Sequence, residues 1–73
     1  MSEPSEIFIA VLQDIENKKL ISLKKIAEDL NLSENKIKPI VDIYLKYKFI
    51  DYFDNNSTYY ITNVGKDYLN IKS

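Results

Sequence analysis

The chain has 73 residues and a net charge of −1, and it contains neither cysteine nor histidine. A chain of this length forms one domain at most and buries only about 60% of its unfolded surface, so we expect a small core. Without thiols and imidazoles it lacks disulfides, the commonest metal ligands and the commonest general base. We therefore expect no enzyme, no cofactor and no metal site.

No apolar run approaches the ~20 residues that a membrane-spanning helix needs. The segment from Met1 to Glu6 is acidic, whereas a secretion signal begins with basic residues. The sequence therefore predicts a cytoplasmic protein, and no small-molecule ligand is evident.

Residues 5–17 are predicted to form the first helix, with Ser5 as its N-cap. Four apolar residues fall on one face of this helix: Phe8, Val11, Leu12 and Ile15. Leu20 and Ile21 then form a short apolar step, which we interpret as one or two residues of strand.

Residues 22–30 are predicted to form the second helix, with Ser22 as its N-cap. Its inward residues are Leu23, Ile26, Ala27 and Leu30. Asn31 follows directly, and asparagine tolerates the left-handed conformation that ends a helix.

Residues 33–47 are predicted to form the third helix, capped by Ser33. The apolar positions follow the helical template in full: Ile37, Ile40, Val41, Tyr44 and Leu45. Pro39 lies on the opposite, polar face, where we expect it to bend the helix or to delay its regular start.

Residues 49–62 are rich in strand-forming residues around a polar turn at 54–57, which predicts a β-hairpin. Residues 63–71 are predicted to form a final short helix. Its expected inward residues are Val64, Tyr68 and Ile71.

This order of elements resembles the winged helix-turn-helix domain of small archaeal and bacterial transcription regulators. Ala27 stands where that family has a small residue at the contact between two helices, and Asn31 where it usually has glycine. In the segment "YYITNVGKDYL" at 59–69, Thr62 would cap the last helix and Gly65 would let it pack closely.

The resemblance covers residues 5–71 and implies an α+β, mostly helical fold in a single domain spanning 1–73. The expected parts are a three-helix helix-turn-helix core, a β-hairpin wing and a short C-terminal helix. Winged helices also serve as protein-binding modules, so the fold alone does not decide the function.

Charge is segregated along the chain. Residues 1–16 carry four acids and no lysine, residues 17–50 carry eight lysines and four acids, and residues 51–73 carry two lysines and three acids. The positive charge therefore lies on the helix-turn-helix, as expected for a small DNA reader. The alternative to a DNA-binding role is that these lysines only occupy the solvent-exposed faces of helices.

The resemblance implies that the third helix enters the major groove of double-stranded DNA. The candidate DNA-binding residues are Ser33, Glu34, Asn35, Lys36, Lys38, Asp42, Lys46, Asn55 and Asn56. Asn35 can pair with adenine, and Lys38 can reach guanine or a phosphate. Ser33 could hold a phosphate or only cap its helix. The tip of the wing has no basic residue, so it could equally be a plain polar turn.

Two functions stay open. The first is sequence-specific DNA binding by a transcription regulator that acts as a homodimer through its terminal helices, by Ile7, Phe8 and Leu69. The second is a protein–protein interaction module that uses the acidic wing and exposed tyrosines.

Tyr44, Tyr59 and Tyr68 are expected in the core, and Tyr47, Tyr52 and Tyr60 could be exposed. Alternatively, Ile7 and Leu69 only complete a monomeric core.

Overall fold

The computed structural model describes residues 4–54 and 57–72, which form four helices and an antiparallel β-hairpin. The elements are α1 (Pro4–Lys18), α2 (Leu23–Leu30), α3 (Glu34–Lys46), β1 (Ile50–Tyr52), β2 (Tyr59–Ile61) and α4 (Asn63–Lys72). The protein is therefore α+β and mostly helical, with the predicted layout. None of its described helices combines the length and the apolar character needed to cross a membrane.

The start of α1 differs from the sequence-based prediction. The helix begins at Pro4, so Ser5 lies inside it and the prediction that Ser5 is the N-cap is wrong. Proline suits the first position of a helix, because its missing N–H would have had no partner there and its φ angle is already helical.

Tyr44 of α3 lies at the centre of the core, where it joins α1 to the hairpin. Its ring packs edge-on against Phe8, with ring centres 5.6 Å apart, and lies tilted by 31° against the ring of Phe49 at 5.7 Å. Its hydroxyl donates a 2.5 Å hydrogen bond to the Phe8 carbonyl, which satisfies the polar end of a nearly buried side chain. The burial raises the pKa of Tyr44 well above its ordinary value.

The hairpin is extended by one residue from the segment between α1 and α2. In β1 and β2, Asp51 stands opposite Tyr60. On the other side of β2, Ile21 exchanges two backbone hydrogen bonds with Tyr59, of 3.2 and 2.8 Å. The short strand predicted at Leu20 and Ile21 is therefore confirmed, and it ties the hairpin to the helical core.

Thr62 and Gly65 fix the start of α4, as predicted. The Thr62 hydroxyl accepts a 3.1 Å hydrogen bond from the Gly65 N–H and donates to the carbonyl oxygens of Lys48 and Phe49. A Cβ atom on Gly65 would overlap the Phe49 carbonyl oxygen and lie 2.8 Å from a side-chain carbon of Ile61. Only glycine permits this approach of α4 to the hairpin.

This approach also sets the rotation of α4, which differs from the prediction. Gly65 and Leu69, four residues apart, face the core, and Leu69 is only 8% exposed. Val64 is 51% exposed and Ile71 is 79% exposed, so the prediction that they point inward is wrong. The periodicity of α4 is compatible with an inward face at Val64 and Ile71 or at Gly65 and Leu69. The contact of Gly65 with the hairpin selects the second face.

Candidate nucleic-acid interface

The turn between α2 and α3 depends on Asn31. It adopts the predicted left-handed conformation, with φ 56° and ψ 44°. The N–H groups of Asn31 and Leu32 donate to the carbonyls of Glu28 and Ala27, at 3.2 and 2.9 Å, which satisfies the end of α2. Ala27 is buried at this point, where a larger side chain would separate the helices.

Ser33 precedes α3 at the N-cap position, but its side chain does not cap the helix. Its backbone is extended, as in an N-cap, but its side chain makes no capping hydrogen bond, so the prediction of a side-chain cap is wrong. Ser22 does cap α2, because its hydroxyl accepts from the Lys25 N–H at 3.2 Å. Within the described residues, no backbone group accepts from the first-turn N–H groups of Glu34 and Asn35. The start of α3 thus offers a hydroxyl and two N–H groups to an outside acceptor.

The polar face of α3 is open along its length. The exposed polar residues and proline from its start to its end are Ser33, Glu34, Asn35, Lys36, Lys38, Pro39, Asp42 and Lys46, and Ile43 is exposed beside them. The buried residues on the other face are Ile37, Ile40, Val41 and Tyr44. The predicted α3 contacts are therefore brought together on one accessible surface, and Pro39 is accommodated inside the helix.

One ion pair crosses the middle of this face. Lys38 Nζ lies 2.7 Å from Asp42 Oδ1, one helical turn further on. Asp42 raises the pKa of Lys38, so the ammonium group stays charged at every physiological pH. Half or more of each side chain is exposed, so water screens the pair and a competing anion could displace it.

The hairpin lies beside this face. The rings of Tyr52 and Tyr59 pack with their centres 5.4 Å apart, and both residues interact electrostatically with the Lys38 ammonium. Burial, followed by the effect of Tyr52, raises the pKa of Tyr59. Of the two residues, Tyr52 is exposed and Tyr59 is buried.

The turn of the hairpin is organised by its own acid. Asp54 Oδ1 accepts hydrogen bonds from the hydroxyls of Ser57 at 2.7 Å and Thr58 at 3.1 Å, and these bonds lower the pKa of Asp54. The predicted DNA contacts Asn55 and Asn56 lie outside the described residues. The described part of the turn thus presents a negative charge and no cation.

The lysines around α2 and α3 fall into two groups. Lys18, Lys25 and Lys38 pair with the carboxylates of Asp29 or Asp42. Within the described residues, the exposed lysines of this region that form no such pair are Lys19, Lys24, Lys36, Lys46 and Lys48. Of these, Lys36 and Lys46 lie on α3, where their charge is accessible to an external anion.

Two other features were not foreseen. Lys19 and Lys48 have left-handed φ angles of 71° and 66°, in positions where glycine is usual, and no sequence signal marks them. An open apolar groove at the hairpin is lined by Lys19, Leu20, Tyr52, Phe53 and Tyr60. The expected exposure of Tyr52 and Tyr60 is confirmed, but the groove that they form with Leu20 and Phe53 was not predicted.

No protein-family model matches this chain, and no curated protein or solved structure shows significant similarity to it.

Proposed function

We propose that the protein is a winged-helix regulator of transcription that binds double-stranded DNA with α3 in the major groove. The observation that carries the proposal is the continuous exposed face of α3, presented by the Asn31 turn on one side and the hairpin on the other. An α-helix with one exposed face of this kind fits the width of the major groove.

The start of α3 would position the helix. The Ser33 hydroxyl and the N–H groups of Glu34 and Asn35 can hold a phosphate oxygen at the positive end of the helix dipole. Lys36, in the first turn of the helix, would add a charge-assisted contact to the DNA backbone. Such contacts fix the register of the helix without reading sequence.

Base recognition would fall to residues further along the exposed face. The Asn35 amide can pair with an adenine edge, and Lys38 can donate to guanine once Asp42 releases it. Glu34 and Asp42 would repel phosphates, and each could accept from the amino group of a cytosine. The acids therefore favour selectivity over affinity.

The proposal is tested by a shift assay with duplex DNA at several salt concentrations. Phosphate contacts release counterions, so the logarithm of affinity should fall linearly with the logarithm of salt concentration. A protein that binds no duplex at low salt, or binds with no salt dependence, is not the DNA reader proposed here.

One observation favours a second function, binding of a partner protein. In the groove at the hairpin, Phe53 is 60% exposed, Leu20 46% and Tyr60 37%. Exposed aromatic residues of this kind are typical anchors in protein interfaces. Serine substitutions at Phe53 and Tyr60 distinguish the functions, because they should abolish partner binding but leave duplex binding intact.

We also propose that the regulator acts as a homodimer, through residues other than those predicted. Leu69 is buried, and Ile7 and Phe8 are half-buried against the core, so the three predicted residues offer a partner little apolar surface. Val64 and Ile71, two turns apart on α4, are exposed apolar residues of the terminal helices, the only ones among residues 6–18 and 63–71. A two-fold contact between these residues would place two copies of α3 on a palindromic site.

A further inference from the structure

Asp14 of α1 and Asp29 of α2 bring two carboxyl groups together where these helices pack. Asp14 Oδ2 is buried, and no N–H or O–H group among the described residues donates to it. The Asp29 carboxylate faces two ammonium groups, with Lys25 Nζ 3.1 Å from Oδ1 and Lys18 Nζ 3.9 Å from Oδ2. Charge on Asp29 is therefore compensated directly, and charge on Asp14 is not.

Two carboxylates in contact cannot both be ionised without repulsion, so one proton is shared between them or held by one. Burial, and then the hydrogen bond and charge of Asp29, raise the pKa of Asp14 to about 6. The hydrogen bond with Asp14, followed by that with Lys25, lowers the pKa of Asp29. Both effects assign the proton to Asp14, whose hydroxyl then donates to the Asp29 carboxylate.

We propose that Asp14 and Asp29 form a proton-dependent clasp that makes the attachment of α1 to the helix-turn-helix stronger in mildly acidic conditions than at neutral pH. With the proton present, a hydrogen bond joins the two helices. When it is lost, a poorly hydrated carboxylate is left against a second carboxylate, with only Lys18 and Lys25 to compensate. The clasp does not depend on DNA binding, because it can be measured on the free protein.

The sign of the effect follows from the direction of the shift. The pKa of Asp14 is higher in the folded protein than its ordinary value of 3.8. The stabilisation by the bound proton is therefore complete below about pH 4 and is lost as the pH rises through about 6. Asp29 has the opposite shift, so its contribution is lost only in more acidic solution, below its ordinary value.

The composition of the chain makes this effect easy to observe. There is no histidine and no cysteine, so no side chain with an ordinary pKa titrates between pH 5 and 7. The α-amino group titrates at about 7.7 or above. A change of stability within this interval must therefore come from a displaced group such as Asp14.

The test is urea unfolding, followed by circular dichroism at pH 5, 6 and 7, of the wild type, Asp14→Asn and Glu6→Gln. The wild-type unfolding constant should rise by up to about tenfold from pH 5 to 7. In Asp14→Asn the new side-chain amide donates to Asp29 at every pH, so that variant should be insensitive to pH here and more stable than wild type at pH 7. Glu6→Gln removes an exposed carboxylate from the same helix and should behave as wild type.

Carbon-13 NMR of the wild-type Asp14 carboxyl gives an independent measurement that requires no variant to fold. A midpoint near 6 supports the clasp, and a midpoint near 4, as in an exposed aspartate, overturns it. An unfolding constant that is unchanged between pH 5 and 7 in the wild type also overturns it. The same holds for a pH dependence that survives Asp14→Asn.

Discussion

Lys38 and Asp42 form the shortest ion pair described in the protein, with 2.7 Å between Nζ and Oδ1, on the face of α3 that we assign to DNA. The pair holds the Lys38 ammonium group against a carboxylate of its own helix, on the face proposed to enter the groove. Asp42 and a phosphate would therefore compete for the same ammonium group. Lys38 can therefore contact DNA only when a DNA group replaces Asp42 as the partner of its ammonium group.

Replacing Asp42 by asparagine should strengthen duplex binding, because Lys38 is released and a negative charge is removed from the interface. We expect the log–log salt slope to become steeper by roughly one. Asp67→Asn, which removes an exposed acid from α4, is the matched control and should change binding much less. Equal effects of the two substitutions would show that only net charge matters and that α3 has no special role.

Asn31→Val should destabilise the fold by about 1 kcal/mol or more, because a β-branched residue resists the left-handed conformation at φ 56°. Asn31→Gly should be tolerated. Thermal melts of the two variants, with Asn35→Val inside α3 as the control, measure the difference. If Asn31→Val melts like the control, the left-handed turn does not limit the stability of the helix pair.

Lys48→Gly should stabilise the protein by about 1 kcal/mol, because lysine is strained at a φ of 66° and glycine is not. The backbone bonds that end α3, from Lys48 to Leu45 and from Phe49 to Tyr44, remain possible with glycine. Lys66→Gly, at an exposed helical position of α4, should instead cost roughly 0.5 to 1 kcal/mol. Urea unfolding of both variants should show opposite signs, and a loss of stability in Lys48→Gly would contradict the account of this turn.

Sedimentation equilibrium tests the homodimer. The wild type should dimerise at high micromolar concentration, and a Val64→Glu, Ile71→Glu variant should be monomeric, because both charges would be buried in the contact. Leu20→Glu, a change at an exposed apolar residue outside α4, should still dimerise. A monomeric wild type that binds DNA would remove the dimer from the proposal but leave the DNA reader.

Local chemistry made much of the fold predictable. Ser22, Asn31 and Thr62 each satisfy backbone groups at a helix end, and their preference for those positions is readable from sequence. Strand-forming residues on both sides of the polar turn at 54–57 located the hairpin. The left-handed Lys19 and Lys48 were not predictable, because lysine has no preference for that conformation.

Features that depend on tertiary contacts were missed. The rotation of α4 follows from the contact of Gly65 with the hairpin, and the pairing of Asp14 with Asp29 from the packing of α1 on α2. The sequence predicted that the Ser33 side chain caps α3, and its neighbours in the sequence do not show that its hydroxyl makes no capping hydrogen bond. The Lys38–Asp42 pair could have been read from its four-residue spacing.

The salt dependence of duplex binding by a Lys36→Ala, Lys38→Ala, Lys46→Ala variant tests the DNA reader most directly. All three side chains are exposed on or beside the proposed contact face of α3. If each contacts a phosphate, the log–log slope should fall by roughly three relative to wild type, whereas Lys66→Ala on α4 should leave it nearly unchanged. A triple variant with the wild-type slope would contradict DNA binding through α3 and favour the protein-interaction function.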